Sequence, residues 1–171
     1  MTNKNVEWVY FQGKGSWFKN LQQGDNEYKN WNVKLHFLPQ SYDAFMQLKE
    51  RDGDVEGIMN EVKRDDDGYY HLFKRPMFKD FGMGEEPLLP PEIVDADNQP
   101  WDRNTLIGNG SDITIKCECY KYTNRRTKKR GKAIRLVAVM INNLVPYSKD
   151  DFTANERIAI EGLSEQPKHL F

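Results

Sequence analysis

From Asp112 to Tyr122 the chain alternates strictly, with Ile113, Ile115, Cys117 and Cys119 on one parity and Thr114, Lys116, Glu118, Tyr120 and Tyr122 on the other. Period two marks a half-buried strand, so the first set is expected in the core and the second outside. A second strand is expected from Lys132 to about Leu144. Upstream, "VEWVYFQGKGSWFKNL" reads as β, and so does "WNVKLHFL", where Trp31, Val33, Leu35 and Phe37 alternate with Asn32, Lys34 and His36. The segment "SYDAFMQLKE" predicts a helix with Ser41 as N-cap. Val55, Ile58, Met59 and Val62 recur at i, i+3, i+4 and i+7, which predicts a second short amphipathic helix. "RDDDG" is expected as a solvated turn before the strand "YYHLFKRP". "FGMGEEPLLPPEIVDADNQPW" is expected as loop with a short strand at "EIVD". After Tyr147 the periodicity fades. The expected division is a domain over residues 1–147 and a flexible C-terminal tail over residues 148–171.

Five or six strands with a helical insertion make a mostly β fold. The expectation is a five-stranded barrel of the oligonucleotide-binding (OB) type, with extended loops.

Composition alters this picture little. A chain of 171 residues with 38 % hydrophobic and 30 % charged residues suits one soluble globular domain. No apolar run approaches the 18 or so residues of a membrane span. The opening "MTNKNVEWVYF" lacks the basic region and apolar core of a secretory signal, so a cytoplasmic protein is expected. Cys117 and Cys119, two apart on one strand, read as buried free thiols rather than a disulfide or a metal site. With His36, His71 and His169 scattered, no zinc set is complete, and neither metal nor cofactor is expected.

Charge alters it more. The net charge is −1, yet eight of the fifteen residues from Lys121 to Arg135 are Lys or Arg and none is acidic. Such a cluster calls for an anionic partner outside the domain. The stretch from Asp43 to Asp67 is the reverse, with nine acids against four bases. Tyr120 and Tyr122, on the outward face, lead directly into Arg125, Arg126, Lys128, Lys129, Arg130 and Lys132. Stacking rings beside phosphate partners suit single-stranded nucleic acid. The bland alternative is a solvated hairpin whose tyrosines pack under a loop. "GKGSWFKN" adds Trp17 and Phe18 between Lys14 and Lys19, in chain whose glycines are expected to let a ligand approach closely. "YYHLFKRPMFKDF" mixes rings with Lys74, Arg75 and Lys79 more weakly.

Catalysis finds little support. Gly108-Asn109-Gly110-Ser111 lacks the Gly-Lys-Ser/Thr ending of a phosphate loop and precedes a strand, so a tight turn is expected. Asp65, Asp66 and Asp67 are the one cluster suited to a metal-dependent nuclease, but consecutive turn residues point apart. The expectation is no enzyme.

In order and spacing, "LIGNGSDITIKCECYKY", a basic loop, and "GKAIRLVAVMINNLVPY" resemble the single-stranded-DNA-binding proteins of T7-like and related bacteriophages. "GSWFKN…WNVKLHFLPQ" and "PPEIVDADNQPW" are similar to that family's first strands and Val-Asp hairpin, so the resemblance covers roughly residues 6–147. It implies an OB fold and coating of single-stranded DNA with little sequence preference, during phage DNA replication, recombination and repair. It also implies action in the host-cell cytoplasm, frequent homodimerisation, and a C-terminal tail ending in an aromatic residue that binds replication proteins. Leu170 and Phe171 match that ending. The tail from Ser148 departs from the pattern, with five acids against three bases. An RNA-binding OB protein is the alternative that the residues leave open.

Overall fold

A computed structural model describes residues 6–58, 62–80 and 84–147. The expectations for the tail, Leu170 and Phe171 included, lie outside these residues.

Two long strands anchor the fold, β8 (Ser111–Thr123) and β9 (Arg130–Asn143), paired antiparallel. On β8 Ile113, Ile115, Cys117 and Cys119 are buried, as the alternation requires, and Thr114, Lys116, Glu118 and Tyr120 face outward. β1 (Val6–Ser16) runs antiparallel to β8 along ten residue pairs, and then to β2 (Asn30–Phe37). β2 pairs with β4 (Gly68–Pro76), whose other edge carries the short β3 (Lys63–Asp65). The parallel β7 (Glu92–Asp95) sits outside β9, so the order is β3-β4-β2-β1-β8-β9-β7. The sheet curls until β4 nears β9. There the Arg75 guanidinium crosses the gap, donating to the carbonyls of Leu136 (3.3 Å) and Leu89 (2.7 Å). The central order β4-β2-β1-β8-β9, closed on itself, is that of an OB barrel.

The barrel interior is aromatic and aliphatic. Phe11, Phe45 and Phe73 meet with ring centroids 5.3–5.8 Å apart among Val33, Leu35, Ile115, Leu136 and Val139. Helix α2 (Pro39–Glu50) closes one end with Phe45 and Leu48. Its N-cap is Leu38 with Pro39 at N1, not Ser41. The Ser41 hydroxyl instead accepts from the Gln12 amide (2.8 Å), tying helix to strand. The second helix expected near Val55 does not form in the described residues. Asp52 to Val55 make a turn, and the Glu56 amide donates to the Arg130 carbonyl (2.9 Å), so this backbone serves β9 and not a helix. A small hairpin pairs β5 (Phe78–Asp80) with β6 (Glu85–Pro87), and β6 falls in the segment expected as loop.

A candidate nucleic-acid interface

Two loops carry the chemistry, and strand pairing fixes where they lie. The β1–β2 connection holds Trp17, Lys19 and the short helix α1 (Phe18–Gln22). The β8–β9 hairpin holds Arg125 to Lys129 between its strands. Gly15 pairs with Ser111, and Val6 with Tyr120. The two loops therefore sit at opposite ends of β8, about 40 Å apart as measured along the strand at 3.4 Å per residue. In an OB barrel these are the two loops that flank the ligand.

At the first loop, Trp17 adopts a left-handed conformation (φ 65°), uncommon for a bulky residue. Its amide donates to Asn109 Oδ1 (3.2 Å), and the Gly110 amide to the Gly15 carbonyl (2.9 Å). Ser111, wholly buried, donates its hydroxyl to the Gly108 carbonyl (2.8 Å). The Gly108–Ser111 turn is thus a clamp that sets Trp17 out into solvent, where it is 47 % exposed. Phe18 goes the other way. It is core, and a Cβ on Gly15 would lie 2.4 Å from its ring. A Cβ on Gly13 would fall 1.9 Å from the His36 carbonyl oxygen. These glycines serve close internal packing and not ligand approach. Phe18 is withdrawn as a stacking residue because its ring never reaches the surface. Lys14 and Lys19 are exposed, with Lys14 paired to Asp112 (3.0 Å).

At the second loop, Tyr120 lies half-buried under the Arg135 guanidinium (5.2 Å), and Tyr122 is 40 % exposed. Gly131 makes room for the Tyr122 ring; a Cβ there would sit 2.5 Å from Cζ. One face of the ring therefore has a floor. The tip turns on Asn124, whose Oδ1 accepts from the amides of Arg126 (2.9 Å) and Thr127 (3.2 Å).

The positive charge is partly answered from within. The acidic stretch after α2 runs along the hairpin base. Asp54 pairs with Arg130 (2.5 Å), Glu56 with Lys129 (3.6 Å), and Asp52 with Lys121 (3.3 Å). Lys132 is withdrawn as a phosphate partner, since it is only 1 % exposed. Its ammonium donates to the carbonyls of Leu48 and Arg51 and lies 3.7 Å from Asp52. Arg125, Arg126 and Lys128 have no carboxylate partner among the described residues and stand exposed.

Pairing register shows residues that the sequence reading passed over. Trp8 and Tyr10, 50 % and 57 % exposed, share the outer face of β1 with Lys14. The Lys116 ammonium stands 4.6 Å over the Trp8 ring. On β2 and β4, Lys34 and Tyr70 belong to that same outer parity. The period-two pattern gave the parity of each; what it lacked was which strands are neighbours.

Asp66 and Asp67 form the exposed turn the sequence predicts, while Asp65 ends β3 and lies, partly exposed, against the outer face of β2. Its carboxylate meets His36 Nε2 (2.9 Å) and Lys34 Nζ (3.3 Å) and accepts from the Asp67 amide (2.9 Å). Ligating atoms of His36, Asp65 and Asp67 lie within 4.8 Å of one another. The Lys34 ammonium already supplies this carboxylate with a cation. Burial raises the Cys117 thiol well above its ordinary value and raises Cys119 as well.

No family model matches the chain, and no curated protein matches it in sequence. Solved structures do. The single-stranded-DNA-binding protein gp2.5 of bacteriophage T7 superposes with a TM-score of 0.58 at 16 % identity, covering 85 % of this chain and 92 % of that one. The single-stranded-DNA-binding protein of bacteriophage Enc34 matches with a TM-score of 0.51 at 10 % identity, covering 92 % and 96 %. The same protein in complex with single-stranded DNA matches at 0.50 and 10 % identity, covering 86 % and 96 %. At these identities the likeness is one of fold, and the fold is the one these phage single-stranded-DNA-binding proteins share.

Proposed function

We propose that the protein coats single-stranded DNA, without catalysis and with little sequence preference. One observation carries this reading. The two loops flanking an OB barrel's ligand path each present an exposed ring, Trp17 and Tyr122, beside unpaired or exposed cations. Rings stack any base and cations follow any phosphate backbone, which makes such a path tolerant of sequence. That phage proteins of the same fold bind single-stranded DNA supports it. Tyr122, Trp17 and, beneath Arg135, Tyr120 are the proposed stacking groups. Arg125, Arg126, Lys128 and Lys19 are the proposed phosphate partners, with Lys14, Lys129 and Arg130 released from their carboxylates on binding. We read the setting as phage DNA replication, recombination and repair in the host cytoplasm. Residues 148–171, with Leu170 and Phe171, serve there as a hook for replication proteins, and homodimerisation accompanies the fold.

A mobility-shift assay with a labelled oligodeoxythymidine, challenged by unlabelled DNA and RNA strands of equal length, tests the assignment. Displacement by DNA at lower concentration than by RNA is expected; preference for RNA would move the protein to the RNA-binding alternative.

A further inference from the structure

Between β2 and β4, beside the Trp17 loop, lies a groove of about 240 Å³. Trp17 and Tyr70 stand on its walls, and Lys34, Lys63 and Lys74 line it. The Lys34 ammonium lies 5.0 Å from the Trp17 ring centre and 4.1 Å from that of Tyr70. The two ring centres therefore lie no further apart than those distances together. A cavity of about 150 Å³ already admits a benzene ring.

Three features suggest a ligand here. Trp17 is held outward in a left-handed conformation, which its surroundings maintain through Asn109 rather than relax. The Lys34 side chain is only 15 % exposed and spends its charge on ring faces and on Asp65. Lys63 and Lys74 stand exposed at the rim, with no carboxylate partner among the described residues. An ammonium between two rings is a cation–π arrangement that a base would compete for, since a base covers the same faces with more area.

We propose that this groove is a one-nucleotide subsite, in which a base enters between Trp17 and Tyr70 while its phosphate draws Lys34 outward to join Lys63 and Lys74. The inference rests on the single-stranded-DNA reading and adds a point of contact on the β2–β4 face, away from the basic hairpin.

Trp17→Ala, Trp17→Phe, Tyr70→Ala and Tyr70→Phe would be titrated against fluorescein-labelled oligodeoxythymidine and against an abasic strand of the same length. Loss of one stacking partner is expected to weaken binding to the normal strand about five- to hundredfold, with the Phe variants close to wild type. On the abasic strand all four variants should bind like wild type, because no base remains to stack. Melting temperatures identify any variant that fails to fold; Tyr70→Ala then carries the test if Trp17→Ala is lost, and the reverse. Unchanged affinity for the normal strand in both Ala variants would overturn the subsite while leaving DNA binding in place. Equal losses on both strands would overturn it too, showing the rings to be structural. Failure of the wild type to bind any single strand would remove the DNA reading itself.

Discussion

The Lys132 ammonium and the Arg51 carbonyl oxygen, 2.6 Å apart, form a hydrogen bond beneath a hairpin that otherwise carries its charge in solvent. The Leu48 carbonyl and the Asp52 carboxylate complete the cage. Lys132 is therefore the cation that joins the end of α2 to β9, and the acidic segment that follows α2 is carried onto the basic hairpin.

Replacing Lys132 by Met should destabilise the domain by about 3 kcal/mol, because it leaves the buried Leu48 carbonyl and the partly buried Arg51 carbonyl without their charged donor. Urea denaturation would measure this. DNA affinity of the folded fraction should be unchanged, the opposite of what a phosphate contact would give.

Asp54→Asn together with Glu56→Gln should release Arg130 and Lys129 for phosphate. Affinity for single strands should rise, because these cations no longer leave a carboxylate to meet phosphate, while the slope of log K against log salt should stay nearly unchanged, since the same contacts form in both proteins. Titrations from low to moderate salt would show it. Stability should change by under about 1 kcal/mol, as these pairs are exposed.

Converting Arg125, Arg126 and Lys128 to Ala should flatten that slope by roughly 2, at about 0.7 per contact, with the melting temperature nearly unmoved. Tyr122→Ala should instead lower affinity by about 1–3 kcal/mol at every salt concentration, if the ring stacks a base.

Cys117 and Cys119 should be inert to a thiol reagent in the native protein and react together on unfolding. Burial holds both thiols above their ordinary pKa, so their thiolate fraction at neutral pH is depressed. Rapid labelling of either one in the native state would show that β8 opens locally.

The alternating runs made the barrel legible. The inward set Ile113, Ile115, Cys117 and Cys119 and the flanking strands follow from periodicity alone, and so does the outward parity of Tyr120 and Tyr122. Failures came where a residue's local pattern competed with a distant partner. The helical spacing that begins at Val55 was overridden over residues 55–58, because Glu56 pairs with the backbone of Arg130 and Gly131. Lys132 looked like its neighbours in a basic run, but strand parity turns it inward where Lys121 stays partly exposed. Phe18 and Trp17 are adjacent, and only the turn at Gly108–Ser111 decides which one faces water. The answer to the hairpin's charge likewise lay about seventy residues away in sequence, in the acidic stretch from Asp43 to Asp67.

The central claim is that this barrel binds single-stranded DNA through exposed rings and cations at two separated loops. Fluorescence anisotropy with single-stranded and double-stranded DNA of equal length, repeated across a salt series, tests it most directly. Preferential binding of the single strand is expected, with log K falling against log salt at a slope of roughly −3 to −4 for four to six phosphate contacts. Equal or tighter binding to the duplex, or a slope near zero, would contradict it.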